Sequence, residues 1–192
     1  VDFSNMPPLK SYQGTDGAKL FYRAYTPQGD NIKGSAVLVH GSSGSSESLH
    51  PMATVLAAAG VQVYALDVRG HGKSGPKGHI AFIGQLESDL QSFVQAVQPP
   101  SPSTLIGFSS GGGFVLRFAA SEMQSAFDSY LLLAPYLGHT APNYRPDSGG
   151  WVSVGVPRIV ALNALNAVGI RYWNDLPVVR FALTEEAKNF LT

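Results

Sequence analysis

A buried-strand pattern runs into a helical pattern in this chain across one glycine-rich turn. Thr104-Leu105-Ile106 is apolar or β-branched and reads as a strand, while Phe114, Val115, Phe118 and Ala119 recur at helical spacing. The turn between them contains Gly107-Phe108-Ser109-Ser110-Gly111, which fits G-x-S-x-G. So abrupt a bend strains and crowds the residue at its apex, and the neighbours of that residue must be small. Gly107, Gly111 and Gly112 supply the room. The bend lifts the Ser109 hydroxyl out of the sheet and aims it at the start of the helix. Backbone N–H groups there are unpaired and carry partial positive charge. A serine in such a place can attack a carbonyl, and the oxyanion that forms meets donors already in position. Such pentapeptides also arise by chance in loops, and the strand before and the helix after are what distinguish this one.

The rest of the chain builds a sheet around that turn. Residues 9–13 and 18–26 read as two strands joined by Gly14-Thr15-Asp16-Gly17, a hairpin signal. Ser35 to His40 and Val61 to Leu66 read as buried strands, and Ser129 to Ala134 as one more. Leu49 to Ala59 reads as a helix, with Ser48 as N-cap, Pro51 in the first turn and Gly60 as the stop. A second helix is predicted over Phe82 to Val97, with Ile83, Leu86, Leu90, Phe93, Val94 and Val97 on its apolar face. Strands alternating with helices from residue 35 onward predict an α/β fold, a mostly parallel sheet with helices on both faces. Ligands on such sheets bind beyond the C-terminal strand ends, here after His40, Leu66 and Phe108. Residues 1–135 are read as the core. Residues 136–192 change character: Pro142, Pro146, Gly149, Gly150, Gly155 and Pro157 interrupt the start. Ile159, Val160, Leu162, Leu165 and Val168 then predict a helix, and Trp151, Tyr172 and Trp173 add aromatic surface. Ordinary helical packing is the plain reading; a lid over an apolar pocket is the functional one.

His40-Gly41-Ser42-Ser43 follows its strand directly. Gly41 lets the backbone approach the nucleophile, so the N–H of Ser42, or that of Ser43, can join the N–H of Ser110 as an oxyanion hole. A tight turn with a solvated serine tail is the alternative. His40, at a strand end beside glycine, is read as ordering its loop. In Asp67-Val68-Arg69-Gly70-His71-Gly72-Lys73-Ser74, Asp67 and Arg69 can pair, and Gly70 and Gly72 permit positive φ. His71 is read as structural. His50 and His79 are read as surface or loop residues. His139 follows the nucleophile only just beyond the next strand, and Asp147 and Asp175 fall in the lid segment.

Composition removes other classes. The 192 residues carry 13 basic and 13 acidic side chains, so the net charge of zero lacks the basic excess of a nucleic-acid footprint. No apolar run approaches the roughly 20 residues of a membrane span. There is no cysteine, and the 5 histidines are scattered without H-x-x-x-H spacing, so neither a metal nor another cofactor is expected. The missing cysteines leave the compartment open, with a soluble cytoplasmic protein as the working expectation. Gly111-Gly112-Gly113 does not give the G-x-G-x-x-G of a dinucleotide-binding fold.

These residues resemble the α/β-hydrolases, and more narrowly the lysophospholipase, monoacylglycerol lipase and serine aminopeptidase-like group. The resemblance rests on Val37-Leu38-Val39-His40-Gly41, on Asp67-x-Arg69-Gly70-His71-Gly72-x-Ser74 and on Gly107-Phe108-Ser109-Ser110-Gly111-Gly112, and it covers residues 9–135. It implies Ser109 as nucleophile and the N–H groups of Ser42 and Ser110 as the oxyanion hole. A serine at that position speaks against the dehalogenase and epoxide hydrolase branches. The family pattern continues after the lid with two more strand–helix units, which carry the triad acid and base. The expectation is therefore that both lie beyond residue 192, in a C-terminal remainder present as a second chain or as further sequence. An apolar edge strand at 129–134 agrees with that. The function implied is a serine hydrolase acting on a hydrophobic or lipid-like ester, with a small-molecule acyl substrate as its partner. The alternative is a non-catalytic small-molecule binding protein on the same fold.

Overall fold

The computed structural model describes residues 2–29, 31–77, 80–138, 141–142 and 152–182. Strands β1 (Leu9–Gln13) and β2 (Lys19–Tyr25) form the expected hairpin, with Gly17 at a φ of 78° in its turn. There follow β3 (Ser35–Val39), helix α1 (His50–Ala58), β4 (Gln62–Asp67), α2 (Gln85–Val97), β5 (Ser103–Phe108), α3 (Ser110–Ala119) and β6 (Ser129–Leu133). These six strands make one sheet in the order β1-β2-β4-β3-β5-β6. The two pairings from β1 through β2 to β4 are antiparallel, and β4-β3, β3-β5 and β5-β6 are parallel. The expected α/β fold with a mostly parallel sheet is present.

The continuous apolar runs of β3 and β4 have a simple cause: every residue of both strands is buried, because both faces of the sheet are covered. Alternation then sorts their side chains. Val37, Val39, Tyr64, Leu66 and Leu105 point to the face carrying Leu90 and Phe93 of α2 and Val115 and Phe118 of α3. Ala36, Leu38, Val63, Ala65 and Ile106 point to the face carrying α1 through Leu49 and Ala53. Phe93 centres the first face, edge-on to Tyr12, Tyr22 and Tyr64 at 5.4, 5.2 and 5.6 Å between ring centroids.

Three local expectations are corrected. Ser48 does not cap α1; its hydroxyl donates to the Ser45 carbonyl, and Leu49 occupies the cap position. Helix α2 starts at Gln85 because Gly84, at a φ of 99°, turns the chain first, and Ile83 is left almost wholly exposed. Its buried face also carries Glu87 and Asp89 beside Leu90 and Phe93, and each carboxylate is held by an arginine.

Beyond the sheet, β7 (Val152–Val154) and β8 (Val179–Phe181) pair antiparallel, with α4 (Val156–Ala167) between them. The expected helix is there, but none of its residues is buried. Trp151, Pro146, Gly149 and Gly150 lie outside the described residues. Among the described residues no helix is long and apolar enough to cross a membrane.

Candidate active site

Ser109 stands between the last residue of β5 and the first of α3, at φ 54° and ψ −119°. A non-glycine residue holds such a backbone only where its surroundings over-determine it. Here they do. The Ser109 amide donates to the Leu133 carbonyl at the end of β6, at 3.0 Å. The Ser109 carbonyl accepts the amides of Gly112 (2.9 Å), Gly113 (3.2 Å) and Tyr136 (2.9 Å). The neighbouring strand and the first turn of α3 therefore grip the bend from both sides.

The glycines answer to close approach. A Cβ on Gly111 would run into the His40 carbonyl oxygen and lie 2.6 Å from that of Val39, so α3 begins in contact with the end of β3. A Cβ on Gly41 would come within 3.1 Å of the Ser109 Cβ. The loop after β3 is thus pressed against the serine. Ser110, as the first residue of α3, has no intrahelical acceptor for its amide. Among the described residues the amides of Ser110, Ser42 and Ser43 have no hydrogen-bond acceptor. Ser43 reaches this place with a φ of 59°. The Ser42 hydroxyl donates to the Ser110 hydroxyl at 3.0 Å, a contact with no local signature in the residue pattern.

The histidines are otherwise engaged. His40 is buried; its Nε2 accepts the Val68 amide at 3.1 Å, which places its proton on Nδ1, 2.7 Å from the Gly41 carbonyl. Burial pulls its pKa down to about 4, against the opposing pull of the Gly41 carbonyl and Asp67. His40 orders its loop, as its place at a strand end suggested. His71 contacts the Arg69 carbonyl through Nδ1 at 3.2 Å, and its ring lies 4.9 Å from that of His40. His50 is a correction: it is buried at the start of α1, between the Tyr25 hydroxyl at 3.1 Å and the Asp2 carbonyl at 3.0 Å. His79, His139 and Asp147 lie outside the described residues, and Asp175 is exposed. Among the described residues, no imidazole is hydrogen-bonded to Ser109.

Asp67 and Arg69 do not pair. The chain leaves β4 at Asp67, and the two side chains part. Asp67 accepts the amides of Ser46 (2.7 Å) and Lys73 (3.0 Å), so it ties the loops after β3 and β4 together. Arg69 forks between Asp89 of α2, at 2.6 and 2.7 Å, and Asp16 of the hairpin turn, at 2.9 and 3.0 Å. Asp89 foremost, with Asp16, holds its guanidinium charged. An acid closing an apolar strand, followed by an arginine, was the legible signal; which partners each would find was not. Among the described residues no three His, Asp or Glu side chains are placed to hold a metal ion.

Residues 30–174 match the family model described as Hydrolase_4, serine aminopeptidase, S33. A monoacylglycerol lipase of Mycolicibacterium smegmatis is 36% identical over 114 residues, which are 57% of this chain and 40% of that protein. The chain thus spans well under half the length of that relative. Among solved structures, a soluble variant of monoglyceride lipase from Saccharomyces cerevisiae aligns over 88% of this chain and 55% of its own, at a TM-score of 0.65 and 23% identity. An esterase from Rhodococcus sp. ECU1013 aligns over 84% and 60%, at 0.59 and 24%. These two likenesses are likenesses of fold.

Proposed function

The chain belongs to the serine aminopeptidase S33 family of α/β hydrolases, and from that premise we propose that it carries the nucleophile of a serine hydrolase acting on carboxylic esters. Ser109 attacks the acyl carbonyl, and the amides of Ser42 and Ser110 receive the oxyanion. Collapse of the tetrahedral species expels the alcohol and leaves an acyl-Ser109, which water hydrolyses. The observation that carries this reading is the strained backbone of Ser109 beside amides that have no acceptor among the described residues.

Among the described residues no imidazole is hydrogen-bonded to Ser109 as its proton acceptor. His40 and His50 have both ring nitrogens engaged, and His71 is held by the loop after β4. The base and its partner acid come from sequence beyond residue 192, seated beside β6. Residues 136–192 act as the lid, and the substrate is an ester with an apolar acyl chain. Exposed Val156, Val160, Tyr172 and Trp173 along this segment support that, as does the name of the mycobacterial relative.

A fluorophosphonate probe applied to the full natural polypeptide tests the assignment. Labelling is expected in the natural protein and absent in Ser109→Ala. No labelling of either would point instead to a binding protein that uses the pocket without turnover.

A further inference from the structure

Resting on the reading of Ser109 as nucleophile, we propose that the paired hydroxyls of Ser42 and Ser110 form a positioning latch. The latch fixes the separation of the two amide donors, and so sets the rate of acyl transfer rather than the strength of substrate binding.

The two donors lie just beyond the paired ends of β3 and β5, where the ladder stops and each part is braced from its own side. The loop after β3 is held from behind. His40 Nδ1 meets the Gly41 carbonyl at 2.7 Å, the Gly44 amide returns to that carbonyl at 3.1 Å, and Asp67 holds the Ser46 amide. The start of α3 is held from the other side by the end of β6, through the Leu133 carbonyl and the Tyr136 amide on Ser109. Between the two, Gly41 lies against Ser109 and Gly111 against the end of β3. Such contact stops the parts from closing further, but nothing in a steric contact resists their opening. A hydrogen bond does. The Ser42 Oγ–H bond to Ser110 Oγ, at 3.0 Å, is the one hydrogen bond among the described residues that joins the loop after β3 to α3. It links the very residues whose amides face the oxyanion.

Preorganised donors act on the transition state when they sit within roughly 2.7–3.1 Å of the developing charge, so a small opening of the gap weakens both at once. Ser42 is exposed, water competes for the bond, and the effect is correspondingly modest. The hydroxyls act through the amides, so the residues serve here as positioning residues.

Hydrolysis of p-nitrophenyl butyrate by the full natural polypeptide tests this. Ser42→Ala and Ser110→Ala should each lower kcat about fivefold, with KM and the thermal midpoint unchanged. The double variant should lose no more than the worse single, because both remove one bond. Ser42→Thr, which keeps a hydroxyl, should recover most of the rate. Losses that multiply in the double variant, a rise in KM in place of the fall in kcat, or a Ser42→Ala protein as fast as the natural one would overturn the latch. Ser109→Ala run alongside separates the two levels: turnover surviving in it would sink the nucleophile assignment itself. Its loss, with the hydroxyl variants unaffected, would sink only the latch.

Discussion

Ser109 holds a φ of 54°, which costs a non-glycine residue about 1–3 kcal/mol, and the surrounding backbone bonds hold it there. The sequence showed this residue because the demand for small neighbours is written into the glycines around it. The opposite holds for the Ser42–Ser110 pair, since a hydrogen bond between a loop and a helix start 68 residues apart leaves no periodicity to read. His40 carries a pH prediction. Burial pushes its pKa down to about 4 in the folded chain, below the ordinary imidazole value of 6.5. Above about pH 6.5 the ring is neutral in both states, and the fold loses nothing. As pH falls from 6.5 towards 4, the unfolded chain takes up a proton that the folded one refuses. Stability therefore drops across that window, by up to about 3 kcal/mol. Urea midpoints at about pH 7.5 and about pH 4.5 check this. The drop should be distinctly smaller in His40→Phe, which removes the titrating ring, and an equal drop in both proteins would assign the acid sensitivity elsewhere.

At the scale of elements, Arg69 does more for the fold than its place in a glycine-rich loop suggests. Its guanidinium joins the β1–β2 turn, through Asp16, to α2, through Asp89. The two carboxylates are unlike. The Asp89 side chain is 6% exposed and that of Asp16 is 41% exposed. Arg69→Leu strands a buried carboxylate and should cost about 3–5 kcal/mol. Asp16→Asn weakens only the solvent-screened arm and should cost under about 1 kcal/mol. Denaturant unfolding of both variants measures the contrast, and equal losses would mean that the hairpin arm carries as much as the buried one. This network also explains what the α2 stripe left out, although Leu90, Phe93, Val94 and Val97 do face the core as expected. Glu87 and Asp89 are buried beside that apolar face because arginines from neighbouring elements compensate their charges. Such partners are distant in sequence, and spacing along one helix cannot reveal them.

At the scale of the molecule, the strands that were easiest to read are those buried on both faces, β3 and β4, because burial forces an unbroken apolar run. Their order was not legible. Pairing β2 with β4 rather than with β3 is a choice among similar strands, made by packing over the whole sheet. The strand β6 is informative in another way. Tyr130 and Leu132 of β6 pack against the face covered by α3, while Leu131, facing the other way, is 46% exposed. Among the described strands β6 lies at an edge, beside the carbonyl that braces Ser109. An apolar edge in that place invites a further strand. If the strand bearing the base seats there in the full natural polypeptide, covering Leu131, then Leu131→Asp buries an unpaired carboxylate. It should then cost at least about 2 kcal/mol and remove fluorophosphonate labelling together with stability. If the edge stays open, the same change falls on a half-exposed surface position and should alter stability by no more than about 0.5 kcal/mol. A urea titration of that one variant decides whether β6 is an outer boundary of the sheet or the seat of the catalytic base.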